Sequence, residues 1–127
     1  MTSPLLIVDA ANVVGSVPDG WWRDRRAAAE RLRDHLAPYA AAGVPGVLAG
    51  PVDIVLVVEG QARGVEPVEG VRVVSAPGSG DDTITELARE AAAADRRCVV
   101  VTADRELRRR VTAHGADCAG PRTVRSV

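Results

Sequence analysis

The sequence predicts an α/β fold in which helices cover both faces of a parallel sheet. Aliphatic segments alternate along the chain with segments whose apolar residues recur at helical spacing, an alternation typical of parallel sheets. The aliphatic segments are mostly unbroken, as expected of strands that are buried on both faces. A chain of 127 residues is long enough for one domain and short for two, so we predict a single domain over residues 1–127.

Five strands and three longer helices are predicted. We expect strands at residues 5–8, 52–58, 71–75, 98–102 and 116–119, and helices at 22–41, from 81 onwards and from 104 onwards. In the first helix Ala29, Leu32 and Leu36 form an apolar stripe, and Pro38 is expected to kink or end it. The glycines and prolines between residues 43 and 51 predict a loop, as does the turn-rich stretch that follows residue 12.

The charged residues exclude several kinds of enzyme. All 16 basic residues are Arg and none is Lys, which excludes the P-loop and Schiff-base chemistry. The net charge of −1 does not by itself indicate a nucleic-acid binder. Aromatic residues make up 2% of the chain, which argues against a base-stacking surface of the RRM kind. Arg nevertheless pairs with phosphate through two parallel hydrogen bonds.

The sequence also carries signals about cellular location. Cys98 and Cys118 are too few and too far apart for a disulfide framework or a zinc motif, so we interpret both as reduced core residues. No apolar run approaches the roughly 20 residues that span a bilayer. The first four residues lack the pattern of a secretory signal, so we expect a cytoplasmic protein that does not bind membranes.

Acidic residues follow four of the predicted strands. They are Asp9, Glu59, the pair Asp81–Asp82 and Asp104. Because the carboxyl ends of parallel strands share one edge of the sheet, where such folds bind ligands, these carboxylates are expected to converge. Converging carboxylates repel each other unless a cation is present, and Mg²⁺ or Mn²⁺ suits oxygen ligands. Asn12 would hold a water or a phosphate oxygen without adding charge.

Each of these acids also has a purely structural interpretation. Asp81, Asp82 and Asp104 lie at predicted helix N-termini, where carboxylates cap free N–H groups. Asp9 would form an Asx-turn, and Glu59, which precedes a glycine, is predicted to be solvated. Capping explains the acids one at a time but does not predict a carboxylate directly after the first strand, so we favour the metal site.

Four residues are candidate substrate contacts. Ser79 lies between two glycines just before a predicted helix, a place where a substrate phosphate can approach. Trp21 and Arg23 belong to a segment that could stack a base and pair with its phosphate, although one of the two Trp side chains is expected to pack on the core. Arg105 follows Asp104 directly and is the best candidate for a phosphate contact.

Three motifs together resemble a known family. They are an apolar strand followed by Asp9-x-x-Asn12, then Gly80-Asp81-Asp82-x-Ile84, then an apolar strand followed by Thr102-x-Asp104-Arg105-Glu106. This order resembles the NYN domains of the PIN-like nuclease superfamily, and among them the YacP-like proteins. The resemblance implies a three-layer α/β/α sandwich of the Rossmann-like PIN type with a central parallel sheet and a metal-dependent ribonuclease site.

The resemblance also implies roles for individual residues. Asp9, Asp81 and Asp104 correspond by position to metal-binding acids of the family, Asn12 to its amide and Asp82 to a neighbouring acid. Two differences from the family are visible. Ala10-Ala11 replaces the common Gly-Tyr, and Glu106 stands where the fourth acid is usually Asp.

We therefore hypothesise a phosphodiesterase, an endoribonuclease that cleaves RNA with Mg²⁺ or Mn²⁺. The expected catalytic residues are Asp9, Asn12, Asp81, Asp82 and Asp104, and the expected metal ligands are Asp9, Asp81, Asp104 and Glu106. Two alternatives remain open at this stage. One is a catalytically silent module that binds RNA or protein, and the other is a hydrolase of free nucleotides such as a nucleoside triphosphate pyrophosphohydrolase.

Overall fold

Residues 2–125 are described by a computed structural model. Its strands are, in chain order, β1 (Leu5–Asp9), β2 (Gly43–Val44), β3 (Leu48–Ala49), β4 (Asp53–Val58), β5 (Val71–Ser75), β6 (Cys98–Val101) and β7 (Asp117–Ala119). Its α-helices are α1 (Ala10–Gly15), α2 (Arg25–Leu36), α3 (Tyr39–Ala42), α4 (Gly80–Ala93) and α5 (Arg105–Thr112). Short 3₁₀ helices cover Trp21–Arg23, Gly60–Ala62 and Pro121–Thr123.

Five strands form one parallel sheet in the order β5-β4-β1-β6-β7. The chain builds outward from β1 to β4 and β5, then returns to the other side of β1 to add β6 and β7. The carboxyl ends of β1 and β6 therefore flank the point where the chain reverses direction across the sheet. Ligands of open parallel sheets bind at such a point. A ligand of this protein is therefore expected to bind at the end of β1.

Alternate residues of the central strand enter two separate cores, one on each face of the sheet. Leu6 and Val8 pack with the residues beneath α1 and α2, including Leu32. Ile7 packs on the opposite face with Ile84 of α4 and the apolar residues of α5. All five residues of β1 are buried, which confirms the predicted three-layer α/β/α arrangement.

The first long helix is shorter than predicted. Asp24 caps α2 by accepting a hydrogen bond from the backbone N–H of Ala27 at 3.0 Å, so the helix begins at residue 25, and the residues before it form a 3₁₀ turn. Pro38 ends α2 as expected, and α3 follows it as a separate single turn. No helix among residues 2–125 is long and apolar enough to cross a bilayer.

Two segments that were predicted as loop or turn have regular structure. Residues 43–51 contain the antiparallel pair β2–β3, in which the buried side chains of Val44 and Leu48 lie opposite each other. The residues after Asp9 form α1 and not an open turn, because the Asp9 carboxylate caps them. One 3₁₀ turn, Pro121–Thr123, follows β7, and residues 126 and 127 lie outside the described part of the chain.

Candidate active site

Asp9 is the buried acid at the centre of the site. It ends β1, the middle strand of the sheet, and only 5% of its surface is exposed. One carboxylate oxygen accepts a hydrogen bond from the Asn12 N–H at 3.3 Å, and the other accepts one from the Thr102 hydroxyl at 3.0 Å. Burial raises the pKa of Asp9 to about 6, and the charges of Asp81 and Glu59 act in the same direction, against these two hydrogen bonds.

Hydrogen bonds tie the ends of β1 and β6 together across the switch point. The Thr102 hydroxyl, which donates to Asp9, also accepts from the Asp104 N–H at 3.2 Å. The side-chain amide oxygen of Asn12 accepts a hydrogen bond from the Ala103 N–H at 2.8 Å. That contact engages the amide oxygen of Asn12, so the NH₂ group is the part of this side chain that can donate to a ligand. Sequence reasoning identified Asn12 as a site residue. It quoted Thr102 within a motif but gave it no role, although Thr102 directly follows a strand.

Asp81 lies in the first turn of α4, which follows β5, and Asp104 is the N-cap of α5, which follows β6. Asp104 caps α5 through the Leu107 N–H at 3.0 Å, so the capping interpretation of this residue is correct. Ser79 and not an acid caps α4, accepting from the Asp81 N–H at 3.2 Å. Partial burial raises the pKa of Asp81, and the negative charges of Asp104 and Glu59 raise it further. The acids thus share one electrostatic environment, although some of them also cap helices.

Glu59 belongs to this acidic group, contrary to the prediction that it is simply solvated. Its carboxylate accepts a hydrogen bond from the Gly80 N–H at 3.1 Å and is only half-exposed. A Cβ on residue 80 would lie 2.9 Å from the Glu59 Oε1 atom, so a side chain there would displace the Glu59 carboxylate from its present position. The strand-end rule that identified Asp9 applies equally to Glu59, so the signal was present in the sequence.

Two predicted acids are directed towards arginines. Asp82, whose side chain is 75% exposed, accepts from Arg110 of α5 at 2.9 Å. Glu106 pairs with Arg109 at 2.6 Å on the exposed face of α5. Within residues 2–125, no three acidic, His or Cys side chains are gathered closely enough to form a ready-made metal-binding group. Any cation at this edge therefore has to complete its coordination with water.

The predicted substrate contacts differ in how far they are exposed. Arg105 is exposed at the start of α5. Trp21 is partly buried against the core, as expected for one of the two Trp side chains, whereas Trp22 is 51% exposed. The Arg23 guanidinium lies over the Trp22 ring at 6.0 Å, and the Arg25 guanidinium lies over the Trp21 ring at 5.1 Å. Sequence reasoning did not single out Arg25.

Replacement of Thr102 by Val tests the link between the two strand ends. We expect Thr102→Val to raise the pKa of Asp9, because the variant lacks the hydroxyl that stabilises the ionised carboxylate. Loss of the partner for the Asp104 N–H should also destabilise the fold by about 1–3 kcal/mol. Thr102→Ser should restore the pKa, since it keeps the hydroxyl. Carboxyl-carbon NMR titration measures it, and equal pKa values in the Val and Ser variants would contradict this role.

Known proteins resemble this chain in fold but not in sequence. No protein-family model and no curated protein sequence matches the chain. Among solved structures, Rae1 (YacP) from Bacillus subtilis superposes with a TM-score of 0.73 at 21% identity, over 97% of this chain and 71% of that one. This chain has the Rae1 fold. A variant of Rae1 with one Trp replaced by Leu gives a TM-score of 0.72, also at 21% identity, over 95% of this chain and 72% of its own.

Proposed function

We propose that this protein is a ribonuclease that cleaves RNA with a divalent cation held at the carboxyl ends of β1, β5 and β6. The observation that carries the proposal is the buried carboxylate of Asp9, which lies at the topological switch point with its pKa raised to about 6. Two features of the whole chain support it. The fold is that of Rae1 (YacP), and the strand-end motifs resemble the YacP-like group of a nuclease superfamily.

The residues at this edge fit Mg²⁺ or Mn²⁺. They present hard carboxylate oxygens. Burial raises the pKa of Asp9 and of Asp81, and repulsion from neighbouring carboxylates, which a cation would relieve, raises both further. Mg²⁺ binds through one or two carboxylates and keeps several waters, which suits acids that do not form a closed group of three. We assign the contacts to Asp9, Asp81 and Asp104. A bound cation would lower the pKa of water and offset charge on a phosphodiester.

The remaining residues of the site would position the RNA strand. The NH₂ group of Asn12 can donate to a phosphate oxygen while the Ala103 N–H holds the amide in place. The exposed Arg105 guanidinium can pair with a neighbouring phosphate. Thr102 keeps Asp9 oriented. Ser79 would support the site indirectly, because its hydroxyl caps α4 at the Asp81 N–H.

Cleavage of labelled single-stranded RNA in the presence of Mn²⁺ or Mg²⁺ tests the proposal. We expect Asp81→Asn to reduce the rate at least about 100-fold, since loss of even an outer-shell partner of a metal reduces activity 10–100-fold. The matched control is Asp117→Asn, which changes an exposed acid at the opposite end of the sheet and should leave the rate within about twofold of wild type.

Equal rates for wild type and Asp81→Asn would refute the assignment of the acidic group. The same assay separates the two alternatives. A silent module would bind RNA without turnover whether or not a chelator is present. A hydrolase of free nucleotides would release pyrophosphate from nucleoside triphosphates and leave RNA intact.

A further inference from the structure

A pocket of about 290 Å³ opens beside the acidic group. One wall is the first turn of α1, where Ala10 and Ala11 present only methyl groups. The Trp21 ring also lines the pocket, as does Arg25, whose guanidinium lies 5.1 Å from the ring centroid. Glu59 lines the pocket as well as the acidic group. The pocket is thus lined by an aromatic ring (Trp21), a guanidinium (Arg25) and a carboxylate (Glu59).

We propose that this pocket receives one unpaired nucleobase of the RNA strand. The inference rests on the proposed function and specifies the part of the substrate that the site recognises. Aromatic rings and Arg guanidinium planes are the surfaces on which proteins stack splayed bases. Ala10 and Ala11 leave room for a ring because neither side chain extends beyond a methyl group. Trp21 packs against the core, which holds its ring in place.

The position of the pocket favours a base over other flat ligands. Ala10 follows Asp9 directly, and Glu59 accepts from the N–H of Gly80, next to Asp81. A nucleotide whose phosphate lies at the acidic group therefore has its base within reach of Trp21. The carboxylate oxygens of Glu59 can accept hydrogen bonds, so they complement the ring N–H and amino groups of a base. An apolar peptide side chain would offer the Glu59 carboxylate no donor beyond the Gly80 N–H that it already has.

Fluorescence of a single tryptophan tests the pocket without cleavage and without a cation. The chain has two tryptophans, so Trp22→Leu leaves Trp21 as the only reporter. The probes are adenosine, guanosine, cytidine and uridine, with ribose as the base-free control. We expect at least one nucleoside to quench Trp21 saturably and ribose to have no effect. Absence of quenching by every nucleoside, or quenching by N-acetylphenylalaninamide alone, would overturn the proposal.

A pocket-filling variant provides the second measurement. Ala11 is exposed, so Ala11→Met should fold while its side chain enters the pocket. We expect nucleoside affinity to fall about tenfold, within the range that base–aromatic stacking contributes. Ala94→Met makes the same change at an exposed position at the far end of α4 and should leave affinity unchanged. Equal affinities in the two variants would contradict the assignment.

RNA cleavage distinguishes failure of the pocket from failure of the proposed function. Ala11→Met should raise KM for single-stranded RNA about tenfold with a smaller change in kcat. If wild type and Ala11→Met cleave RNA alike, the pocket assignment is wrong and the ribonuclease proposal stands. If wild type cleaves no RNA although nucleosides quench Trp21, the ribonuclease proposal is wrong and the occupant is not part of an RNA strand.

Discussion

Asp9→Asn should abolish RNA cleavage and at the same time raise the thermal stability of the protein at neutral pH. The carboxamide has nearly the same shape as the carboxylate, and its oxygen can still accept from the Asn12 N–H. It supplies no negative charge, so the cation that we propose at this site would no longer be held. We expect the cleavage rate to fall at least about 100-fold, as for any change that disturbs metal binding.

The gain in stability follows from the direction of the pKa shift. The pKa of Asp9 rises from 3.8 to about 6 on folding, so between these values the folded protein binds more protons than the unfolded chain. The contribution of Asp9 to stability therefore falls as pH rises from about 4 to 6. Above pH 6 the full penalty is present, and the shift of about two units corresponds to roughly 3 kcal/mol. Asp9→Asn removes that penalty.

Calorimetry of the cation-free protein at pH 7.5 and pH 4.5 measures this effect. The variant should unfold roughly 5–10 °C above wild type at pH 7.5, given that 1 kcal/mol shifts Tm by a few degrees in a domain of this size. The difference should be much smaller at pH 4.5, where Asp9 is already protonated in wild type. Asp117→Asn, an exposed control, should match wild type at both values. A lower Tm for Asp9→Asn at pH 7.5 would contradict the buried-charge account.

The parts of the fold that were predictable from the sequence depend on patterns within one segment. The unbroken aliphatic residues of β1 and β4 indicated strands buried on both faces, and the sheet has them at its centre. Parallel pairing then placed Asp9 and Asp104 at one edge without further information. Pro38 marked the end of α2 because a proline interrupts helical hydrogen bonding.

The parts that were missed depend on contacts between distant segments. Glu59 follows a strand as Asp9 does, but it was interpreted as solvated because its hydrogen-bond partner, the Gly80 N–H, lies 21 residues later in the sequence. The same holds for Thr102, whose partner Asp9 is 93 residues away. The pocket beside Trp21 was also hidden, because its walls come from α1, α2 and the turn after β4. Residue types and their spacing identify candidate site residues, whereas the shape of the pocket depends on how distant segments pack together.

Mn²⁺ should stabilise the wild-type protein strongly at pH 7.5 and little at pH 5. A ligand that binds only the folded state contributes about 2.7 kcal/mol when present at 100 times its Kd. Below pH 6 protons compete for Asp9, whose pKa is about 6, so the apparent affinity should fall about tenfold per pH unit. This direction is opposite to that of the Asp9 contribution in the cation-free protein, which falls as pH rises.

Thermal unfolding with and without Mn²⁺, together with titration calorimetry, measures the coupling between cation and proton. Asp9→Asn should show no Mn²⁺-dependent rise in Tm, and Asp117→Asn should respond as wild type does. Equal Mn²⁺ affinity at pH 5 and pH 7.5 would show that the cation does not bind at Asp9. Because this measurement requires no RNA, it separates two properties of the acidic group. Mn²⁺ binding without RNA cleavage would indicate a site that holds a cation but lacks the contacts needed to position a phosphodiester.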